Sequence, residues 1–116
     1  MSKKILIIDD EPDFIDMITM RLEANDYIVV SAPDGIQGLD VALEESPDLI
    51  LLDVMMPGWD GYETLRQIRR KPEIARTPVV MLTAKGESRS IFQAQDLGSS
   101  DYLIKPCDSQ ELLATV

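Results

Sequence analysis

Residues 48–61 read Asp-Leu-Ile-Leu-Leu-Asp-Val-Met-Met-Pro-Gly-Trp-Asp-Gly. The run Leu49 to Leu52 is short, wholly apolar and bounded by acids, the pattern of a strand buried on both faces rather than one side of a surface helix. It ends on Asp53. Pro57-Gly58 then interrupts the chain, and beyond it Tyr62, Leu65 and Ile68 recur at helical spacing. Strand, terminal acid, loop and amphipathic helix together make one unit of a parallel α/β sheet.

The unit repeats in kind, though not as a sequence repeat. Ile5 to Ile8, Tyr27 to Ser31 and Val79 to Leu82 predict further buried strands, and Tyr102 to Ile104 a shorter fifth. Helical spacing connects Phe14, Ile15, Ile18 and Leu22, then Ile36, Leu39 and Leu43, then Ile91, Ala94 and Leu97. Pro33-Asp34-Gly35 precedes the second helix and Ser46-Pro47 follows it. Gly98 sits where a helix C-cap belongs, and Asp108 is placed to cap a last helix. Only Ser109 to Val116 remain for that helix, so the expectation is a single domain over residues 1–116, cut within its final helix. The alternation is (βα)₅, which predicts a three-layer, doubly wound parallel sheet with helices on both faces.

Composition narrows the function. A chain of 116 residues is near the commonest single-domain size, so one core has to carry whatever it does. Eleven basic against 21 acidic residues give a net charge of -10, which repels nucleic-acid phosphates and anionic membranes. The densest basic stretch, Arg66 to Lys71, reads as a solvated helix face. There is no histidine, and the single cysteine, Cys107, excludes an internal disulfide, a Cys-His pair and a zinc site. No apolar run approaches the ~20 residues of a membrane span, and the start has too short an apolar run for a signal peptide. A cytoplasmic protein with no membrane or direct nucleic-acid partner is expected.

Parallel α/β sheets bind ligands at the carboxyl ends of their strands, where strand order reverses. There the sequence places Asp9-Asp10-Glu11, Asp53, Thr83 and Lys105, whereas the second strand ends in unreactive Ser31-Ala32-Pro33. If the order is the flavodoxin-like 2-1-3-4-5, borrowed from known sheets of this type and not read from these residues, Asp9, Asp10 and Asp53 meet at the switch point. Three such carboxylates repel and call for a cation. A carboxylate cluster without His or Cys suits a hard divalent ion, and Mg²⁺ fits better than Ca²⁺ because no EF-hand loop is present. Asp53 can then act as a nucleophile toward phosphorus, with Lys105 neutralising phosphoryl oxygens and the Thr83 hydroxyl donating to one of them.

Four motifs in order, Lys4-Ile-Leu-Ile-Ile-Asp-Asp-Glu-Pro, Asp48 through Gly61, Val79-Val-Met-Leu-Thr-Ala and Asp101-Tyr-Leu-Ile-Lys-Pro, resemble response-regulator receiver domains. The resemblance runs from about Lys3 to Leu113. It implies that Asp53 is the phosphoacceptor and that Asp10, Asp53 and the backbone carbonyl of Met55 bind Mg²⁺, with Asp9 supporting the ion through water. Lys105 would bridge to the phosphoryl group, Thr83 and Tyr102 would form a switch pair, and a cis bond before Pro106 would aim Lys105 into the site.

Implied partners are a sensor histidine kinase or a histidine phosphotransfer protein. An output domain or downstream protein would read the face of the fourth helix, fifth strand and fifth helix. Such a domain catalyses only its own phosphorylation and dephosphorylation. Met55 and Lys85 stand at positions the family varies, beside the path of a hydrolytic water. Trp59 reads as a loop cover at least as well as a functional residue. Two rival readings are a Mg²⁺-dependent aspartyl-phosphate phosphatase, which lacks its second acid because Met55 occupies that place, and a phosphorylation-independent pseudo-receiver, which usually loses an acid or the lysine.

Overall fold

The computed structural model of the chain describes residues 2–84 and 101–105, with side chains through Thr83. In chain order the elements are β1 (Lys4–Ile8), α1 (Pro12–Glu23), β2 (Ile28–Ala32), α2 (Gly35–Glu45), β3 (Leu49–Asp53), α3 (Gly61–Arg69), β4 (Val79–Ala84) and β5 (Asp101–Lys105). All five strands are parallel in the order β2-β1-β3-β4-β5, so the doubly wound arrangement expected from the sequence is the one found. The predicted helices around Ile91 to Leu97 and from Ser109 to Val116 lie outside the described residues. So do Lys85, Gly98, Pro106, Cys107 and Asp108.

Alternation along the strands divides the core in two. Leu6, Ile8, Ile50, Leu52, Val79 and Met81 pack on one face against Leu39 and Ala42 of α2 and Leu65 and Ile68 of α3. Ile5, Ile7, Leu51, Val80 and Leu82 pack on the other against Phe14, Ile18 and Leu22 of α1. Each Ile or Leu fully buried in this way contributes about 1.5–3 kcal/mol. With β1, β3 and β4 covered on both sides, their near-continuous apolar runs are explained.

Two elements depart from expectation. β2 is half-exposed rather than buried, because it forms the sheet edge; Ile28 is 48% exposed and only Ala32 is fully inside. On α2, Ile36 points to solvent at 55% exposure, and the buried stripe is Gly35, Gly38, Leu39 and Ala42. The small residues let the helix approach the sheet closely: a Cβ on Gly38 would stand 2.5 Å from Ile8 Cδ1. That approach rotates Ile36 outward.

Side chains close the N-terminal ends of α2 and α3. Asp34 accepts from the Gln37 N–H at 2.8 Å and Asp60 from the Glu63 N–H at 2.9 Å, capping α2 and α3. At the other end of α3 the basic stretch is not simply a solvated face. Arg69 donates to the carbonyls of Ala75 (3.1 Å) and Thr77 (2.8 Å), fastening the return to β4 over buried Ile74. Its burial pulls the Arg69 guanidinium below the usual arginine range. Arg66 and Arg70 remain exposed as expected.

Candidate functional site

The carboxyl ends of β1 and β3 lie side by side because those strands are neighbours, with Ile8 opposite Leu52. Asp9 and Asp53 each occupy the next position along their strands. Both are buried, at 0% and 4% exposure. The same local device orients both. The Glu11 N–H donates to Asp9 Oδ1 at 2.9 Å, and the Met55 N–H donates to Asp53 Oδ1 at 3.4 Å, so each carboxylate is turned by the backbone two residues on.

Asp10 and Glu11 are exposed and close the outer side of the group. One oxygen from each of Asp9, Asp10, Glu11 and Asp53 lies within 4.8 Å of the other three. Asp9, Asp10 and Asp53 are thus brought together as the sequence predicted, and the structure adds Glu11. That residue is the N-cap of α1, but its side chain makes no capping hydrogen bond to the helix. Its position before Pro12 was visible in the sequence; its return toward Asp53 depends on how β1 hands over to α1.

At an effective dielectric near 20, two carboxylate charges 4.8 Å apart repel by about 3–4 kcal/mol. A cation removes that repulsion. The donors are all oxygens, two from buried and two from exposed side chains, so an ion held here keeps an open side for water or a phosphate oxygen. That arrangement suits Mg²⁺, which binds through one or two carboxylates and retains several waters. A cleft beside the group is lined by Asp9, Asp10, Pro12, Ile15, Asp16 and the Ser31-Ala32-Pro33 segment that ends β2.

β4 and β5 complete the edge. Asp53 pairs with Leu82, which sets buried Thr83 one residue further toward the site; Thr83 in turn pairs with Ile104 and Ala84 with Lys105. Tyr102 lies opposite Met81 on β5. Lys105 therefore ends its strand two residues beyond the level of Asp53, at the same edge of the sheet, while its side chain and that of Tyr102 lie outside the described residues. Met55 is two residues beyond Asp53 and is 65% exposed; Trp59 is half-buried against the α2 and α3 side of the core, as a loop cover would be.

Known proteins agree with this geometry. The family described as the response regulator receiver domain matches residues 5–116. Among curated relatives, the DNA-binding dual master transcriptional regulator RpaA of Synechocystis sp. is 45% identical over 113 residues, 97% of this chain and 47% of that protein. The chain thus spans about half the length of that relative.

Among solved structures, the chemotaxis protein CheY4 of Vibrio cholerae is 30% identical with a TM-score of 0.94, covering 99% of this chain and 96% of its own. The receiver domain of the sensor histidine kinase PA1611 of Pseudomonas aeruginosa is 32% identical with a TM-score of 0.90, covering 99% and 94%; it has a magnesium ion coordinated in the active site cleft. By its sheet, its acid-lined strand ends and these matches, the chain belongs to the response-regulator receiver domains of two-component signalling.

Proposed function

We propose that this receiver domain is switched by Mg²⁺-dependent phosphorylation of Asp53. The observation that carries the reading is the packing of buried Asp9 and Asp53 with Asp10 and Glu11 inside 4.8 Å, at the switch point of a doubly wound sheet. Asp10, Asp53 and the Met55 carbonyl would hold the ion, with Asp9 acting through water. Bound there, Mg²⁺ would offset the negative charge of the incoming phosphoryl oxygens.

An Asp53 carboxylate oxygen attacks phosphorus. As the new O–P bond forms, the bond to the donor breaks and its electron pair leaves with the donor, a phosphohistidine of a sensor kinase or phosphotransfer protein, or a small acyl phosphate. Lys105 neutralises a second phosphoryl oxygen and Thr83 donates its hydroxyl to a third. Drawing Thr83 toward the phosphoryl group, with Tyr102 turning into the space released, shifts the population toward an active arrangement. The face that the resemblance implies, of a fourth helix, β5 and a fifth helix, would present that change to an output domain or downstream protein. Apart from its own phosphorylation and dephosphorylation the domain performs no catalysis, and it works in the cytoplasm.

RpaA is a DNA-binding protein about twice as long. For this chain, with its charge of -10, we propose no direct nucleic-acid contact. Among the described residues, no helix is long and apolar enough to cross a membrane.

Calorimetric titration tests the metal half of this reading. Mg²⁺ is expected to bind the unaltered chain, and Asp10→Asn to weaken that binding by tenfold or more. Equal affinity in the two proteins would take Asp10 out of the site.

A further inference from the structure

Gly61 opens α3, eight residues after the phosphoacceptor, and stands in contact with the backbone of β3's end. A Cβ built on Gly61 would lie 2.5 Å from the carbonyl oxygen of Asp53 and 2.7 Å from Val54 Cα, while the Gly61 N–H donates to the Val54 carbonyl at 2.9 Å. The third neighbour, Met81 Cε at 3.0 Å, is the movable end of a side chain; the first two are backbone and cannot yield alone. Asp60 fixes the same turn by capping Glu63 at 2.9 Å. The first turn of α3 is thus seated directly on the peptide that joins Asp53 to Val54.

Resting on the reading of Asp53 and Met55 given above, we infer that Gly61 is a positioning residue for the metal site: its bare Cα lets α3 hold the Asp53–Val54 peptide where Asp53 and Met55 meet the ion. Val54 and Met55 come directly after that peptide, so a displacement of the peptide moves the Met55 carbonyl with it. Real Cβ contacts essentially never fall below 3.0 Å, so alanine at 61 shifts the peptide or the helix by at least half an ångström. Mg²⁺ tolerates little departure from octahedral geometry, and groups that orient metal ligands typically govern affinity by ~10–100-fold.

Gly58 shares the loop but not the role. Its Cβ would meet nothing within 4 Å.

The test is Mg²⁺ affinity by calorimetry set against thermal stability in Gly61→Ala, with Ile68→Val as a control that loosens buried packing in the same helix away from the site. Gly61→Ala is expected to raise the Mg²⁺ Kd about tenfold or more while still folded, and Ile68→Val to lower Tm with Kd unchanged. If Gly61→Ala does not fold, the milder Asp60→Ala decides, since it adds no atom and only frees the first turn; a severalfold rise in Kd is expected. An unchanged Kd in folded Gly61→Ala, or in Asp60→Ala where that variant decides, overturns the inference. A Kd that rises equally in Ile68→Val overturns it too, because stability alone would then account for the loss. Absence of Mg²⁺ binding in the unaltered chain would instead remove the reading beneath it.

Discussion

Asp53 is held by the end of a buried strand and by the Met55 N–H on its carboxylate, which act over one or two residues, and by Gly61, eight residues on, against its carbonyl. Asp9 repeats the first two with the Glu11 N–H. Those two constraints are local, which is why both acids could be singled out from the sequence. Glu11 could not, since an exposed acid before a helix is ordinarily a cap and only the strand-to-helix handover turns it inward. Gly58 allows a clean residue-scale check, because its φ of 76° is in the left-handed region and its surroundings are open. Gly58→Ala should therefore cost about 1 kcal/mol through backbone strain alone, read as a lower denaturation midpoint at an unchanged denaturant slope.

Among the elements, β1, β3 and β4 were legible because a strand covered on both faces has no polar position to confuse the pattern. β2 looked alike in the sequence but lies at the sheet edge, a property of strand order that no single segment contains. α2 misleads for a different reason: Ile36, Leu39 and Leu43 form the more hydrophobic stripe, yet Gly35, Gly38 and Ala42 permit the closer approach. Accordingly, Ile36→Ala should change stability by less than about 0.5 kcal/mol, whereas Leu39→Ala should cost about 2–5 kcal/mol in chemical denaturation. A large loss at Ile36 would mean that the outer face of α2 is packed. Arg69 was equally hidden, because its partners at Ala75 and Thr77 come into reach only when the chain turns back toward β4.

Over the whole molecule, the parallel order 2-1-3-4-5 collects Asp9, Asp53 and Thr83 from strands far apart in sequence onto one edge, and among the described residues leaves the opposite edge to turns and to the Arg69 clamp. The fold class and the identity of the acids could be read in advance, since both rest on short apolar runs and on the polar residue that terminates each run. The distance between Asp9 and Asp53 could not, because it depends on β1 and β3 being neighbours. Phosphoryl transfer to Asp53 at this edge can be followed by intact mass after exposure to a small acyl phosphate with and without Mg²⁺, beside Asp53→Asn. The expected result is a gain of about 80 Da, one phosphoryl unit, that requires Mg²⁺ and is lost in the variant. A gain that persists in Asp53→Asn, or one that forms equally without Mg²⁺, would contradict it.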